Sequence, residues 1–280
     1  MSIHFSDDTV QTKLDFLTQH RDQMHIVTDF DATLTQYFDH HGKSRPSIIS
    51  LLRDENILDE EYSSLAHEMY SYYSAIEHDP SLDKDLKMAT MNERWTKHKE
   101  LLMKKWLNMH HLEHIATMDR IVMRSGTDIF LKRAEELGIP VIIFSASGIG
   151  YDSIRLLLQH RWLLLPNIHI VSNKLYRDSD GRMVGFDPNI IHSLNKTESV
   201  IRWSDEYRTI QEAIGQRPHA LVIGDGIADA GMVDARDGRI VVTVGLCNHH
   251  VEEKYDHYMK AFDIVIANDD GLDALVSVCL

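Results

Sequence analysis

Polar side chains follow several short apolar runs of this sequence, and their types could support chemistry. Asp29 and Asp31 come after "HIVT", Ser145 after "PVIIF" and Asp225 after "HALVIG". Two aspartates this close repel each other, so the end of a buried strand holds them only with a compensating cation or for a chemical task. Lys196, in "LNKTES", is the candidate positive partner.

These carboxylates indicate a metal-assisted reaction. Carboxylates with few positive neighbours favour Mg²⁺, a hard cation that prefers oxygen ligands. Bound Mg²⁺ would relieve the repulsion between Asp29 and Asp31 and would attract a phosphate group. A carboxylate can then act as a nucleophile and form an aspartyl-phosphate. The sequence therefore predicts a phosphoryl-transfer site that uses Mg²⁺.

The apolar runs have the length and composition of buried strands. They are rich in Val and Ile and occupy residues 25–29, 140–146, 168–173, 219–225, 239–245 and 262–268. Continuous apolar runs are typical of parallel strands covered on both faces. Helical segments alternate with them, at residues 126–140, 153–164 and 195–215. This alternation predicts a three-layer, Rossmann-like α/β sandwich with a parallel sheet. Its strand ends would meet at one crevice.

Residues 40–120 interrupt the alternation. They carry no Val-rich strand, but they show helical periodicity at residues 60–77 and 84–107. We therefore predict an α/β core of residues 1–39 and 121–280, with an all-helical cap of residues 40–120 inserted after the first strand.

Charge and cysteine content limit the partners and the compartment. The formal net charge of the 280 residues is −14, which would repel nucleic-acid phosphates and anionic membranes. Only two cysteines are present, Cys247 and Cys279, and isolated cysteines fit a reducing cytosol. No apolar run approaches the ~18 residues of a transmembrane helix. We expect a cytoplasmic monomer with a small-molecule substrate and no nucleic-acid or membrane partner.

The order of the motifs resembles that of a known superfamily. "DFDATLT", "FSAS", "NK" and "GDGIAD" resemble the haloacid dehalogenase-like phosphatases. With "YYSAIEHDP", "RWTKH" and "GDGIADAGM", the sequence from about residue 24 onward, including the insertion, is similar to the cytosolic 5′-nucleotidase III (pyrimidine 5′-nucleotidase) family. The resemblance implies a haloacid dehalogenase-like core. It also implies Mg²⁺-dependent hydrolysis of nucleoside 5′-monophosphates such as CMP and UMP, or of 7-methylguanosine monophosphate, with a phosphotransferase side activity.

The resemblance also implies roles for the strand-end residues. Asp29 matches the nucleophile and a metal ligand. Asp31 matches the general acid/base, and its backbone carbonyl matches a second metal ligand. Asp225 matches the third protein ligand of the metal, and Lys196 matches the lysine that neutralises phosphate charge.

Other residues match substrate contacts of the family. Ser145 and Ala146 match the phosphate-binding pair, and Ser147 joins the candidates because "FSASGIG" has one residue more than the usual "FSAGIG". Glu77 matches a cap glutamate that recognises the base. His98 stands where the family usually has a serine, so its protonation is expected to make base binding depend on pH.

Three other functions would use similar residues. The first is a haloacid dehalogenase-like phosphatase for another small phosphomonoester. The second is a phospho-accepting signalling module, but such modules are about half this length and do not need Asp31. The third is a non-catalytic nucleotide-binding protein, which would not need Asp29, Asp31, Lys196 and Asp225 intact.

Several other features have a structural and a functional interpretation. Asp229 could ligate metal, or it could orient a metal ligand or cap a helix. Lys174 competes with Lys196 for the phosphate role, but we interpret it as a solvated loop lysine. "HHLEH", at residues 110–114, has spacing that could bind zinc, although no further ligand is evident. The basic residues of segment 94–106 are expected to form a solvated helix face.

Overall fold

The structure, a computed structural model, describes residues 3–79, 81–202, 207–235 and 238–280. Its main sheet has seven strands in the order β1-β9-β8-β7-β2-β3-β4. All neighbouring strands in it are parallel except the edge pair β1 and β9. The seven strands are β1 (Ile3–Phe5), β2 (Met24–Thr28), β3 (Val141–Phe144), β4 (Ile168–Val171), β7 (His219–Gly224), β8 (Val241–Cys247) and β9 (Ile264–Ala267).

The central strands are covered on both faces, which explains their continuous apolar sequence. Every residue of β2 and of β7 is buried. Successive residues of β2 enter different clusters, since Ile26 belongs to one apolar cluster and Val27 to another. This alternation is that of a sheet between two helical layers, and it confirms the predicted three-layer α/β fold.

Helices surround the sheet and fill the segment between β2 and β3. Helices α2 to α5 all lie in that segment, where the sequence predicted a cap at residues 40–120; the domain boundaries stay a prediction. The helices are α1 (Thr9–Gln19), α2 (Ile48–Asp54), α3 (Glu60–His78), α4 (Lys84–Lys104), α5 (Met109–Thr117), α6 (Thr127–Glu136), α7 (Gly150–His160), α8 (Glu198–Arg202), α9 (Arg208–Ile214), α10 (Val251–Ala261) and α11 (Asp273–Cys279).

The structure corrects three details of the predicted elements. The insertion follows the second strand, because the short edge strand β1 precedes β2. A two-stranded antiparallel hairpin, β5 (Leu175–Arg177) and β6 (Met183–Phe186), was not predicted. The predicted helix over 195–215 corresponds to α8 and α9, and residues 203–206 between them lie outside the described residues. Strands β1, β5 and β6 are mostly half-buried or exposed, so they lack the continuous apolar sequence of the buried strands.

Among the described residues, no helix is both long enough and apolar enough to cross a membrane.

Candidate active site

Three predicted site residues lie at the carboxyl ends of adjacent strands. Strand β2 pairs with β7 on one side and with β3 on the other, so Asp29, Asp225 and Ser145 leave the sheet at the same edge. The carboxylates of Asp29, Asp225 and Asp229 each offer an oxygen within 4.8 Å of the others. The strand ends therefore converge, as expected for an open parallel sheet.

Lys196 is the cation of this acidic cluster. Its Nζ lies 2.5 Å from Oδ1 of Asp29 and 2.8 Å from Oδ1 of Asp229. Burial opposes a charge on the lysine, but Asp229 and Asp29 together raise the pKa of Lys196 above its ordinary value. Lys196 is therefore charged and fixed against the candidate nucleophile.

One lysine does not balance the acidic cluster. Burial raises the pKa of Asp29, with repulsion from Asp229 adding to the effect against the opposing charge of Lys196. Burial and the negative charges of Asp29 and Asp229 raise the pKa of Asp225 well above its usual range. Buried oxygen ligands with excess negative charge are a donor set that suits a hard divalent cation. The residues present therefore fit Mg²⁺.

Asp31 lies on the cavity side of this cluster. Its Oδ1 accepts a hydrogen bond of 3.1 Å from the backbone N–H of Ile48, at the start of α2. Burial, and next the charge of Asp29, raise the pKa of Asp31 to about 7. Unlike Asp29, Asp31 lines the large cavity described below.

Two residues that the sequence did not single out hold the loop after Asp31. Ala32 has a φ of 58°, a left-handed conformation that is unusual for a residue other than glycine. Its carbonyl accepts hydrogen bonds from Nη2 of Arg124 at 2.5 Å and Nδ2 of Asn248 at 2.8 Å. The Arg124 side chain is buried and also lies 2.8 Å from Oδ1 of Asp269. No sequence motif marks Arg124, because its side-chain partners come from three distant segments.

The candidate phosphate loop follows β3. The N–H of Ser147 donates to Oγ of Ser145 at 3.2 Å, so these two residues brace the loop. Ala146 and Ser147 line the cavity, and Oγ of Ser147 is buried with no hydrogen-bond partner among the described residues. An unpaired buried hydroxyl beside a cavity is costly unless a ligand completes it. The additional residue of "FSASGIG" thus supplies an available hydroxyl.

Contacts from α4 and from Asn173 limit the shape of this loop. A Cβ on Gly148 would lie 2.4 Å from the ring of Trp95 in α4. The Ser147 carbonyl accepts a 3.0 Å hydrogen bond from Nδ2 of Asn173. Lys99 of α4 donates to Oδ1 of Asn173 at 2.9 Å, so α4 contacts the loop both directly and through Asn173.

Lys99 also corrects one sequence interpretation. Segment 94–106 was expected to present a solvated basic face, but Lys99 is fully buried. Burial lowers the pKa of Lys99 to about 8, and the Phe186 ring centroid lies 4.9 Å from its Nζ. The error arose because the sequence does not show that β6 and Asn173 cover this part of α4.

A cavity of about 850 Å³ connects the catalytic residues with the helices of the insertion. Asp31, Ala146 and Ser147 line it together with Glu77 and His98. It is also lined by Arg53, Arg94, Trp95 and Ser193. The structure therefore brings the predicted base-binding residues to the same cavity as the predicted acid/base.

Glu77 and His98 are both engaged by protein groups. Oε2 of Glu77 lies 2.8 Å from Nη1 of Arg94, and Oε1 accepts a 2.5 Å hydrogen bond from Oγ of Ser193. His98 stands 2.9 Å from the Tyr62 hydroxyl. Burial, and then the charges of Arg94 and Arg53, lower the pKa of His98 to about 3. The His98 ring is therefore neutral at physiological pH. The prediction that protonation of His98 makes base binding depend on pH is therefore wrong in the physiological range.

The remaining candidates separate into site and non-site residues. Asp229 accepts a 2.9 Å hydrogen bond from the N–H of Gly226 through Oδ2 and contacts Lys196 through Oδ1, so it supports the loop and also belongs to the acidic cluster. Lys174 is half-buried and lies 4.5 Å from the Tyr151 ring. The histidines of "HHLEH" lie on α5, and the only potential metal-binding group in the described part of the chain is Asp29, Asp225 and Asp229.

The fold is that of the haloacid dehalogenase-like hydrolases. A hydrolase of this family from Salmonella enterica superposes with a TM-score of 0.56 at 14% identity, over 98% of this chain and 80% of its own. The chain itself belongs to the Pyrimidine 5′-nucleotidase (UMPH-1) family, whose sequence model matches residues 32–279. The protein is thus a 5′-nucleotidase, a phosphatase that hydrolyses nucleoside 5′-monophosphates.

Individual relatives agree with this family. The 7-methylguanosine phosphate-specific 5′-nucleotidase of Homo sapiens is 31% identical over 255 residues, which cover 91% of this chain and 83% of the relative. The Drosophila melanogaster enzyme of the same name is 33% identical over 253 residues, or 90% of this chain and 77% of the relative. Cytosolic 5′-nucleotidase IIIB bound to cytidine superposes with a TM-score of 0.85 at 30% identity, covering 99% of this chain and 93% of its own.

Proposed function

We propose that this 5′-nucleotidase transfers the phosphoryl group of its substrate to Asp29 and then to water. The observation that carries the proposal is the ion pair of 2.5 Å between Lys196 and Asp29 at the end of the central strand β2. It holds one carboxylate oxygen in place, which favours an oriented nucleophile. Asp31, two residues later, lines the cavity where a leaving group would lie.

The two steps assign a separate task to each aspartate. In the first step, Asp29 attacks phosphorus while the bond to the 5′-oxygen breaks, and Asp31 gives its proton to that oxygen. In the second step, Asp31 takes a proton from water as the water oxygen attacks phosphorus. Inorganic phosphate leaves and Asp29 is regenerated. Lys196 and the N–H and hydroxyl groups of the 145–147 loop stabilise the phosphate charge.

Mg²⁺ is the cofactor that the acidic cluster suits. Asp29, Asp225 and the backbone carbonyl of Asp31 would hold the ion, with Asp229 as a further carboxylate of the cluster. When bound, Mg²⁺ would offset the negative charge of the carboxylates and of the phosphate. The excess of buried carboxylates over lysine supports this assignment.

The cap region would select the nucleoside, with Glu77 and His98 at the base. Glu77 can accept hydrogen bonds from a base N–H, in competition with Ser193 and Arg94. Neutral His98 offers one donor and one acceptor. Glu77→Ala is expected to raise KM for CMP more than it changes hydrolysis of p-nitrophenyl phosphate, which has no base. Equal losses with both substrates would assign Glu77 to cap structure instead.

The remaining expectations concern the setting of the enzyme. We propose a cytoplasmic monomer without a nucleic-acid or membrane partner, and with a phosphotransferase side activity in which a nucleoside replaces water. Buried free thiols at Cys247 and Cys279 support a reducing compartment. The net charge of −14 opposes binding to nucleic acids.

Phosphate release from CMP and UMP tests the proposed function. The enzyme should be active with Mg²⁺, lose activity in EDTA and regain it when Mg²⁺ is restored, while Zn²⁺ should substitute poorly at an all-oxygen site. Asp31→Asn should slow turnover strongly because it removes the proton donor. Full activity in EDTA, or an unchanged rate in Asp31→Asn, would contradict the mechanism.

A further inference from the structure

A single asparagine joins the two segments that carry the candidate phosphate-binding groups. Asn173 follows β4 by two residues, and its side chain is buried. Its Nδ2 donates to the Ser147 carbonyl at 3.0 Å and to the Ile191 carbonyl at 2.8 Å. Its Oδ1 accepts a hydrogen bond of 3.1 Å from the Ile191 N–H. Asn173 thus binds the phosphate loop on one side and the segment before Lys196 on the other.

The segment before Lys196 is a compact turn that begins beside Ile191. Nδ2 of Asn195 donates to the Ile190 carbonyl at 2.8 Å, and Oδ1 of Asn195 accepts from the N–H of His192 at 2.8 Å. Lys196 is the next residue after this turn. The position of the lysine relative to the phosphate loop therefore depends on the bonds that hold Ile191.

The buried ammonium group of Lys99 fixes which way the Asn173 amide faces. An ammonium group only donates, so it must meet the amide oxygen rather than the amide nitrogen. Nζ of Lys99 lies 2.9 Å from Oδ1 of Asn173, which leaves Nδ2 for the carbonyls of Ser147 and Ile191. With the amide reversed, two donors would face each other and an oxygen would face two carbonyls. Lys99 therefore stabilises the one orientation that joins both segments.

Lys99 is costly to bury, and its packing alone does not explain a lysine at this position. Its side chain is fully buried, and no ion-pair partner for it is found among the described residues. Burial lowers the pKa of Lys99 to about 8, although the charge of Asp187 opposes this shift. A buried charge without an ion-pair partner costs more free energy than an apolar side chain of the same length. The bond to Asn173 gives the lysine a task that an apolar residue could not perform.

We propose that Asn173 is a positioning residue for the reaction and that Lys99 of α4 orients it. Asn173 holds the 145–147 loop and Lys196 at the separation that a bound phosphate group requires. Neither Asn173 nor Lys99 lines the cavity, so both act through the groups that contact the substrate. Because Lys99 belongs to the inserted segment, phosphate binding depends on the contact between α4 and the core. The proposal rests on the proposed function of this site and adds two positioning groups to it.

Asn173→Asp tests the positioning role with almost no change in shape. The new carboxylate oxygen would face the carbonyls of Ser147 and Ile191, which only accept, so the two segments should separate. We expect kcat/KM to fall at least ~100-fold, and by the same factor for CMP and p-nitrophenyl phosphate, because the defect lies at the phosphate. Inorganic phosphate should inhibit the variant less strongly than the wild type.

Three results with Asn173→Asp would overturn the proposal. The first is a loss confined to CMP, which would place the defect at the base. The second is an unchanged kcat/KM and unchanged inhibition by phosphate. The third is loss of the Mg²⁺-dependent rise in melting temperature, which would place the defect at the acidic cluster.

Lys99→Met separates positioning from a purely structural role. It removes the bond to Asn173 and the buried charge, so the melting temperature should stay or rise while kcat/KM falls about 10-fold with both substrates. A structural role predicts the opposite, a lower melting temperature with unchanged kcat/KM. In an Asn173→Ala background, Lys99→Met should cause no further loss of kcat/KM, because Lys99 acts through Asn173. Losses that multiply would overturn the role of Lys99.

Asn167→Ala and Lys97→Met are the matched controls. Asn167 lies at the other end of β4, where its Nδ2 donates to the Ile139 carbonyl at 2.8 Å. Lys97 lies on α4 but is exposed and paired with Glu93 at 2.5 Å. Neither variant should change kcat/KM or the inhibition by phosphate. Losses equal to those of Asn173→Asp and Lys99→Met would overturn the proposal.

A different result would contradict the proposed function instead. A wild-type enzyme that hydrolysed p-nitrophenyl phosphate but not CMP would contradict the nucleotide specificity. The same variants, assayed with p-nitrophenyl phosphate, would still decide the role of Asn173.

Discussion

The Lys196 ammonium lies 2.5 Å from the Asp29 carboxylate, although 167 positions separate the two residues in the chain. Asp29 directly follows the central strand β2, and Lys196 precedes α8. Their contact is nearly closed to solvent, with side-chain exposures of 6% for Lys196 and 12% for Asp29. Removing one member of such a pair leaves a buried charge without compensation. The ion pair therefore contributes both to the stability of the fold and to the position of the candidate nucleophile Asp29.

Substitution of Lys196 should affect both activity and stability. Lys196→Met removes the positive charge that faces Asp29 and Asp229, so we expect kcat/KM to fall at least ~100-fold with any phosphomonoester. The free energy of unfolding should fall by about 3 kcal/mol without Mg²⁺. Denaturant titration and phosphate release measure the two effects. Lys174→Met is the matched control and should retain activity, and equal losses in both variants would contradict the assignment.

Mg²⁺ should stabilise the folded enzyme through the acidic cluster. A ligand that binds only the folded state raises its apparent stability, so adding Mg²⁺ should raise the melting temperature of the wild-type protein. Asp225→Asn removes one carboxylate and should shrink this shift markedly. The shift can be followed by thermal unfolding without any substrate. A full Mg²⁺-dependent shift in Asp225→Asn would place the metal elsewhere.

Gly148 is expected to be required for the contact between the phosphate loop and α4. A Cβ there would meet the Trp95 ring at 2.4 Å, so Gly148→Ala must displace the ring or the loop. We expect KM for CMP to rise more than KM for p-nitrophenyl phosphate. Gly231→Ala, where a Cβ would meet no atom within 4 Å, is the control. If Gly148→Ala changed neither KM, the contact would not matter for binding.

Stability at low pH should depend on Glu198. Burial alone would raise its pKa, but hydrogen bonds from His25 and Arg239 lower the pKa of Glu198 to about 2. A carboxylate whose pKa is lowered by folding stabilises the folded state at pH values above its pKa in the unfolded chain. For Glu198 this stabilisation is lost as the pH falls from about 4.5 towards about 2. Glu198→Gln should lose about 2 kcal/mol at pH 7 and show a flatter stability profile below pH 5. An unchanged profile would contradict this account.

The sequence predicted the sheet and the catalytic edge because both depend on local patterns. Buried parallel strands require continuous apolar runs, and polar residues at their ends mark the edge where Asp29, Ser145 and Asp225 meet. Burial of Lys99 and the partners of Arg124 could not be predicted in this way. Both depend on contacts between segments far apart in the chain, which leave no periodicity.

Base recognition was only partly predictable for the same reason. The sequence indicated Glu77 and His98, but it did not show that Arg94 and Ser193 engage Glu77 or that burial keeps His98 neutral. Those facts come from packing between α3, α4 and the segment before Lys196.

The most direct test of the central claim is to find the phosphoryl group during turnover. CMP hydrolysis in the presence of Mg²⁺ is quenched rapidly with acid, and the peptides are analysed by mass spectrometry. We predict a phosphate on the peptide that contains Asp29, which is absent from Asp29→Asn, together with a loss of at least ~10³ in kcat for that variant. Phosphate on a different residue, or more than a tenth of wild-type activity in Asp29→Asn, would contradict the assignment of Asp29 as nucleophile.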